Sequence, residues 1–140
     1  MGSIGAFLEK TGQFYLRSHL HGKVLDVKCK NVAAGTPVIM YRRTQNPNQL
    51  WYLDEDNIIY SKLNGMALIY IDGCMCMAPY QPESKQRWAL AKSESGHKII
   101  NLDAPDHCVD IFCSNTVDGA KVVQYNYRAA PNQQWAVYKV

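Results

Sequence analysis

Apolar and polar residues change places in short bursts along this chain, and the bursts have the length of strands rather than helices. Val24-Leu25-Asp26-Val27, Val38-Ile39-Met40-Tyr41 and Leu50-Trp51-Tyr52-Leu53 are rich in β-branched and aromatic residues, and clusters of Asn, Gly, Pro and Asp separate them. Each of the three segments is predicted to be a strand. Asn31 to Pro37, with Ala-Ala-Gly-Thr-Pro inside it, is predicted to be a loop, and Asn115 to Ala120, carrying Asp118-Gly119, is its counterpart. No window holds an i, i+3, i+4, i+7 apolar stripe for three turns, so long helices are not expected. Ala6 to Lys10 could form a turn of helix at most. The longest unbroken apolar stretch runs from Met66 to Ile71, far short of the ~20 residues of a membrane-spanning helix.

The pattern repeats. Gln-x-Trp occurs at Gln49–Trp51, Gln86–Trp88 and Gln133–Trp135, and these hold all 3 tryptophans of the chain. The first and third copies match without a gap at an offset of 84 positions: Leu25-Asp26-Val27 with Val109-Asp110-Ile111, Gly35 with Gly119, Tyr41 with Tyr125, and Pro47-Asn48-Gln49 with Pro131-Asn132-Gln133. The middle copy is set by Ser61-x-Leu63-x-Gly65, which matches Ser18-x-Leu20-x-Gly22, and it then loses six residues before Trp88. Three units of about 42 residues follow, at about 13–56, 57–97 and 98–140, after a short N-terminal extension over 1–12. Four short strands in each unit predict an all-β, pseudo-threefold barrel, a closure that protects most strand edges. Gln and Trp two apart share one strand face, so the indole can enter the core while the amide meets polar groups beside it.

Composition narrows the function classes. At 140 residues the chain is one domain, and 47% hydrophobic against 19% charged residues fits a folded core. A net charge of +3, with Arg42–Arg43 the longest basic run, is too small for a protein that binds nucleic acid by neutralising phosphates. The 5 cysteines (Cys29, Cys74, Cys76, Cys108, Cys113) cannot all pair within one chain, which favours a reducing compartment. No signal-peptide pattern opens the chain. The expectation is a cytoplasmic protein or one released by a non-classical route, with action outside the cell left open; a mature secreted chain read without its leader would look the same.

Three Gln-x-Trp units with a matched Leu-Asp or Val-Asp upstream resemble the ricin B-type (R-type) lectin family, whose fold is the β-trefoil. The similarity is closest to annelid galactose-binding tandem-repeat lectins, through Gly22 to Asp26 and Asn48 to Trp51. The resemblance implies a carbohydrate pocket in the first unit from Asp26, Cys29, Tyr41, Asn48 and Gln49, and in the third from Asp110, Cys113, Tyr125, Asn132 and Gln133. The aspartate would accept hydroxyl protons, the tyrosine would be the stacking platform, the amide pair would donate, and each cysteine would lend its main-chain N–H. No cofactor or metal is implied. Monomer and dimer both stay open.

The chemistry of these residues suits a sugar. An ionised carboxylate only accepts, so it can hold two neighbouring hydroxyl protons, while Asn and Gln amides supply the donors that sugar oxygens need. The C–H face of a pyranose packs on an aromatic ring. The axial 4-hydroxyl of galactose leaves a continuous C–H patch, so galactose or N-acetylgalactosamine is the expected ligand, bound at ~1 mM to ~10 μM. The reading requires both carboxyl groups to keep contact with solvent. Two pockets on one body would cross-link glycoconjugates.

The middle unit departs from this pattern. Ile69 falls where the aspartate should be, Ala78 at the aromatic position and Lys85 at the asparagine; Gln86 and Trp88 remain, which suits a structural role, and Tyr80 could restore a platform two residues later. The histidines read as exposed turn residues (His19, His21) or as isolated ones (His97, His107), with no zinc spacing among them. Cys108 replaces Val24 and should be a small core residue. No hydrolase, kinase or nucleotide-binding motif is present, and Asp26 and Asp110 belong to different units, so an enzyme acting on glycosides is the weaker reading. A trefoil protein-interaction module with vestigial sugar pockets is the other.

Overall fold

A computed structural model describes residues 12–81 and 87–140. Its elements are twelve strands: β1 Phe14–Ser18, β2 Val24–Val27, β3 Val38–Tyr41, β4 Trp51–Leu53, β5 Ile59–Ser61, β6 Ala67–Ile71, β7 Cys74–Ala78, β8 Trp88–Ser93, β9 Gly96–Asn101, β10 Ala104–Ile111, β11 Ala120–Asn126 and β12 Trp135–Lys139. They fall four to a unit. Among the described residues the helical segments are single 3-10 turns, as at Pro47–Gln49 and Pro131–Gln133. The expected helical turn at Ala6–Lys10, together with Lys85 and Gln86, lies outside the described residues.

The strands pair in the order β12-β9-β10-β11-β3-β2-β1, and β1 pairs back to β12 over five residues, from Phe14↔Lys139 to Ser18↔Trp135, so the sheet closes on itself. From β1 the path continues through β4, β5 and β6 to β7, and β8 pairs with β9. Closure matters here because strands this short could not survive as exposed edges. The result is a β-trefoil. Two boundaries differ by one residue from the pattern: Leu50 caps the Pro47–Gln49 turn through its N–H to the Pro47 carbonyl (3.1 Å) and so stays out of β4, and Ala120, expected in the loop, opens β11.

The three tryptophans fill the centre, each 0% exposed. Each indole N–H donates to a backbone carbonyl of its own unit: Trp51 to Leu25 (3.1 Å), Trp88 to Leu68 (2.9 Å) and Trp135 to Val109 (3.3 Å). These three bonds make Leu25, Leu68 and Val109 equivalent, and therefore also the next residues, Asp26, Ile69 and Asp110.

Strand register then locates the missing six residues. Asp26 faces Ile39 and Asp110 faces Val123, each pair thirteen positions apart, whereas Ile69 faces Cys76 across seven. The second unit has lost the long loop between its second and third strands. A two-residue hairpin replaces it, Asp72-Gly73, with φ of 50° and 78°, the left-handed pair that a tight primed turn requires.

Candidate functional site

The long loop that the second unit lacks opens, in the other two, with a strained turn. Cys29 and Lys30 (φ 56° and 54°) and Cys113 and Ser114 (φ 55° and 51°) occupy the left-handed region, which costs a residue bearing a Cβ about 1 kcal/mol or more. The same strain recurs at the same place in two units, and in the first unit it borders a cleft.

That cleft has a volume of about 340 Å³. Asp26, Cys29, Tyr41 and Asn48 line it, as the sequence pattern proposes, and Ile39, Thr44, Asn46, Lys28 and Lys30 complete the walls of the first unit. One lining residue, Gly119, comes from the third unit. Its N–H donates to the Met40 carbonyl at 2.7 Å, and next to it Asp118 accepts from the Arg42 backbone N–H (3.1 Å) and from Arg42 Nη1 (2.9 Å). The local pattern could not reveal this wall, because it is a contact between residues 76 positions apart.

The loops follow a rule around the barrel. The first unit's loop seats Gly35 N–H on the Met77 carbonyl of the second unit (2.7 Å), as the third unit's seats Gly119 on Met40 of the first. By the same rotation the second unit's loop would wall the third unit's site, and that is the loop replaced by Asp72-Gly73. Tyr125 is accordingly 51% exposed, while Tyr41 is half-buried. The same six-residue loss removes the strained turn from the second unit and the loop that this rotation would place beside Tyr125.

Gln49 and Gln133 correct an expectation. Both are 0% exposed, and neither reaches a cleft. Gln49 Nε2 donates to Asp26 Oδ2 (2.8 Å) and to the Arg42 carbonyl (2.9 Å), while its Oε1 accepts from the Thr44 N–H (2.8 Å). Gln133 repeats this with Asp110 Oδ2 (2.8 Å), the Asn126 carbonyl (2.8 Å) and the Arg128 N–H (2.8 Å). With its hydrogen-bonding capacity used, the glutamine acts as a brace that fixes the carboxylate. Asn132 Nδ2 adds a bond to Asp110 Oδ1 (3.0 Å) and another to the Ile111 carbonyl (2.9 Å); Asn48 Nδ2 bonds the Val27 carbonyl (3.1 Å). Asn48 Oδ1 is buried and finds no hydrogen-bond partner among the described residues.

The aspartates are also less open than expected. Asp26 and Asp110 are each only 4% exposed, so solvent contact is confined to a narrow aperture, for Asp26 the floor of the cleft. Burial pushes the Asp26 carboxyl up to about 6, against the pull of hydrogen bonds from Gln49 and Asn48. Burial likewise raises Asp110, while the Gln133 bond and the Arg128 charge draw it back. Each carboxylate oxygen has two acceptor positions, so the bracing bonds leave both groups with capacity to spare.

Each of the two tyrosines carries a guanidinium on one face, Arg42 over Tyr41 at 5.1 Å and Arg128 over Tyr125 at 5.2 Å from the ring centroid. The two arginines come from different alignment positions, so the repeat did not reveal them.

Among the described residues the second unit has no counterpart of the aspartate or the tyrosine. Ala67 faces Ala78 as Val24 faces Tyr41, which puts Ala78 in the aromatic position. Ile69, Cys76, Ala67 and Ile58 form a buried apolar cluster there, with Tyr80 packed against it. Tyr80 is thus part of a packing cluster rather than a restored platform. Of the histidines expected in turns, His19 is exposed, but His21 is half-buried and its Nδ1 accepts from the Lys23 N–H (3.1 Å). All five cysteines are free thiols, and Cys108 is a core residue at 0% exposure. Among the described residues no cluster of three or more His, Cys, Asp or Glu could hold a metal, and no helix is long and apolar enough to cross a membrane.

Comparison with known proteins agrees with the β-trefoil fold. The ricin-type beta-trefoil lectin domain model matches residues 12–135. The C-half of an earthworm R-type lectin, solved in complex with GalNAc, is similar at 32% identity with a TM-score of 0.83, covering 91% of this chain and 98% of that one. A mutant of the earthworm lectin C-terminal domain, in complex with 6'-sialyllactose, is similar at 30% identity and TM-score 0.80, with the same coverage of 91% and 98%. The designed threefold-symmetric protein ThreeFoil is similar at 28% identity and TM-score 0.83, covering 92% and 99%. No curated protein matches the sequence.

Proposed function

This chain belongs to the ricin-type beta-trefoil lectin family, and from that premise we propose that it binds galactose- and N-acetylgalactosamine-type glycans without catalysis, at one site in the first unit and one in the third. The observation that carries the reading is the duplicated brace: Gln49 on Asp26 and Gln133 on Asp110, at the same 2.8 Å, with Tyr41 lining the same cleft as Asp26. A carboxylate held rigid before the ligand arrives loses little on binding, which is how a shallow site gains affinity from few contacts.

In this reading Asp26 and Asp110 accept from neighbouring sugar hydroxyls. Tyr41 and Tyr125 take the C–H face of the ring, Asn48 and Asn132 border the carboxylates, and the turns at Cys29 and Cys113 offer main-chain N–H groups. The GalNAc complex of the similar earthworm lectin supports the sugar class. A non-catalytic role is supported by the placement of the two aspartates in separate units, each committed to its own glutamine. Two sites on one body make a single chain bivalent, so clustered glycans would be cross-linked with an avidity gain of ~10²–10⁴.

The test is titration with free galactose, N-acetylgalactosamine, glucose and mannose. Galactose and N-acetylgalactosamine are expected to bind at ~1 mM to ~10 μM and the other two at least tenfold more weakly. Equal response to all four sugars, or none, overturns the reading.

A further inference from the structure

A second cleft, about 380 Å³ in volume, adjoins the first-unit site and is lined by Tyr15, Arg17, Gly22, Val24, Arg43 and Tyr138. The two clefts lie on either side of one strip of chain. Tyr41 and Thr44 line the first, Arg43 between them lines the second, and Val24, which lines the second, is the register partner of Tyr41.

The second cleft is cationic and held in shape. Arg17 donates from Nε to the Gly22 carbonyl (3.2 Å) and from Nη1 to the Tyr138 hydroxyl (3.1 Å), and its guanidinium lies over the Tyr138 ring at 5.6 Å. Among the described residues two of its five N–H donors have acceptors. Gly22 has φ +77°, a left-handed conformation that favours glycine, and the Arg17 guanidinium lies against it, with Nη2 2.9 Å from where a Cβ would stand. Arg43 stacks on Tyr15 at 4.6 Å. Among the described residues, neither arginine has a carboxylate within ion-pair distance, whereas Arg42 and Arg87 both do. Two guanidinium groups on tyrosine faces, with no carboxylate partner among the described residues, form a receptor for an anion.

The repeat supplies an internal comparison. Arg17 faces Val24, and the residues that face the equivalent Ala67 and Cys108 are Tyr60 and Ile100. Counting back from the tryptophans, the position of Arg43 is Tyr80 in the second unit and Tyr127 in the third. Tyr127 there bonds to the Glu94 carboxylate, an acceptor that would repel an anion. The barrel therefore needs neither arginine for folding; only the unit with the walled cleft has the pair.

We propose that the first-unit site extends over the Tyr41–Thr44 strip into this cleft, where Arg17 and Arg43 bind the anionic substituent, a sulfate ester or a carboxylate, of an acidic galactosyl glycan, while the third-unit site takes neutral glycans. This rests on the galactoside reading above and deepens it for one of the two sites.

The test is calorimetric titration of the wild type and of the Arg17→Gln/Arg43→Gln double variant. The ligands are lactose and lactose carrying either a sulfate ester or a sialic acid at its 3′ or 6′ position, with sulfate ion as the free anion. In the wild type at least one acidic regioisomer is expected to bind one site per chain about tenfold more tightly than lactose, as one charge-assisted contact would give, with the advantage shrinking as salt is raised. In the double variant the advantage disappears while lactose binds both sites as before, which also shows that the variant is folded. Acidic and neutral ligands of equal affinity in the wild type, or a preference that survives in the double variant, overturns the extension and leaves the galactoside reading standing. Tighter binding matched by sulfate ion alone at an equal concentration overturns it too, since the cleft would then be an anion site unconnected to sugar. Failure of lactose to bind the wild type overturns the galactoside reading and the extension with it.

Discussion

Gln49 donates from Nε2 to Asp26 Oδ2 at 2.8 Å while fully buried behind it, and the bond recurs between Gln133 and Asp110. The glutamine of the Gln-x-Trp signature thus couples the core to the cleft. The tryptophan two residues on is locked to the carbonyl that precedes the aspartate, and the glutamine is locked to the aspartate itself. Core packing and the position of the carboxylate are set by the same three residues of one strand entry.

Replacing Gln49 with Leu, close in size but without hydrogen bonds, leaves the Arg42 carbonyl, the Thr44 N–H and Asp26 each short of a partner. The expected loss of stability is about 2–4 kcal/mol, since orphaned buried groups cost roughly 1–3 kcal/mol apiece and neighbours relax in part. Urea unfolding measures it. A loss below about 0.5 kcal/mol would mean that the brace contributes nothing. Sugar binding in the third unit should persist in the same variant.

The raised Asp26 carboxyl fixes a pH dependence of opposite sign for folding and for binding. Its folded value of about 6 lies above the ordinary 3.8, so between these values the folded chain holds more protons than the unfolded one. Stability from this group is therefore present at low pH and is lost as pH rises through about 6. Binding runs the other way, because hydroxyl protons need the ionised acceptor. At pH 5 the affinity of the first site should be about tenfold below its value at neutral pH. Asp26→Asn should flatten the stability profile in that window, as read by thermal melts across pH 4 to 8, and abolish binding at that site.

Ile69 stands where the other units have aspartate, inside an apolar cluster with Cys76, Ala67 and Ile58. Ile69→Asp is expected to destabilise the chain by about 2–4 kcal/mol without creating a third sugar site, because the amide and the strained turn that would accompany a carboxylate are missing. Calorimetric stoichiometry after refolding checks this; a third equivalent of galactoside bound would show that the carboxylate alone suffices.

Asp118 ties the third unit's loop to the first unit's cleft through Arg42. Asp118→Ala removes two solvent-accessible ion pairs, to Arg42 and to Lys23, so stability should change by less than about 1 kcal/mol. Affinity at the first site should fall severalfold while the third site stays unaffected, as chemical shifts of Tyr41 and Tyr125 during titration would report.

The strands were legible where the pattern is local. Val24–Val27 and Val38–Tyr41 fall where alternation and turn residues put them, since those signals act over a few neighbours. The repeat made the six-residue loss visible, and register shows that it removed the loop after Ile69. What could not be read depends on packing between distant segments: Gly119 as a wall of another unit's cleft, Arg42 and Arg128 on tyrosine faces from unrelated positions, and Gln49 behind its aspartate rather than in front. Chain alternation says which face a side chain takes. It says nothing of how deep that face becomes once three units close around one core.

The most direct test counts galactoside equivalents by calorimetry on the wild type, Asp26→Ala, Asp110→Ala and the double variant. The account predicts two equivalents per chain for the wild type, one for each single variant and none for the double, with all four proteins showing cooperative melts. Saturable galactoside binding retained by the folded double variant would contradict it.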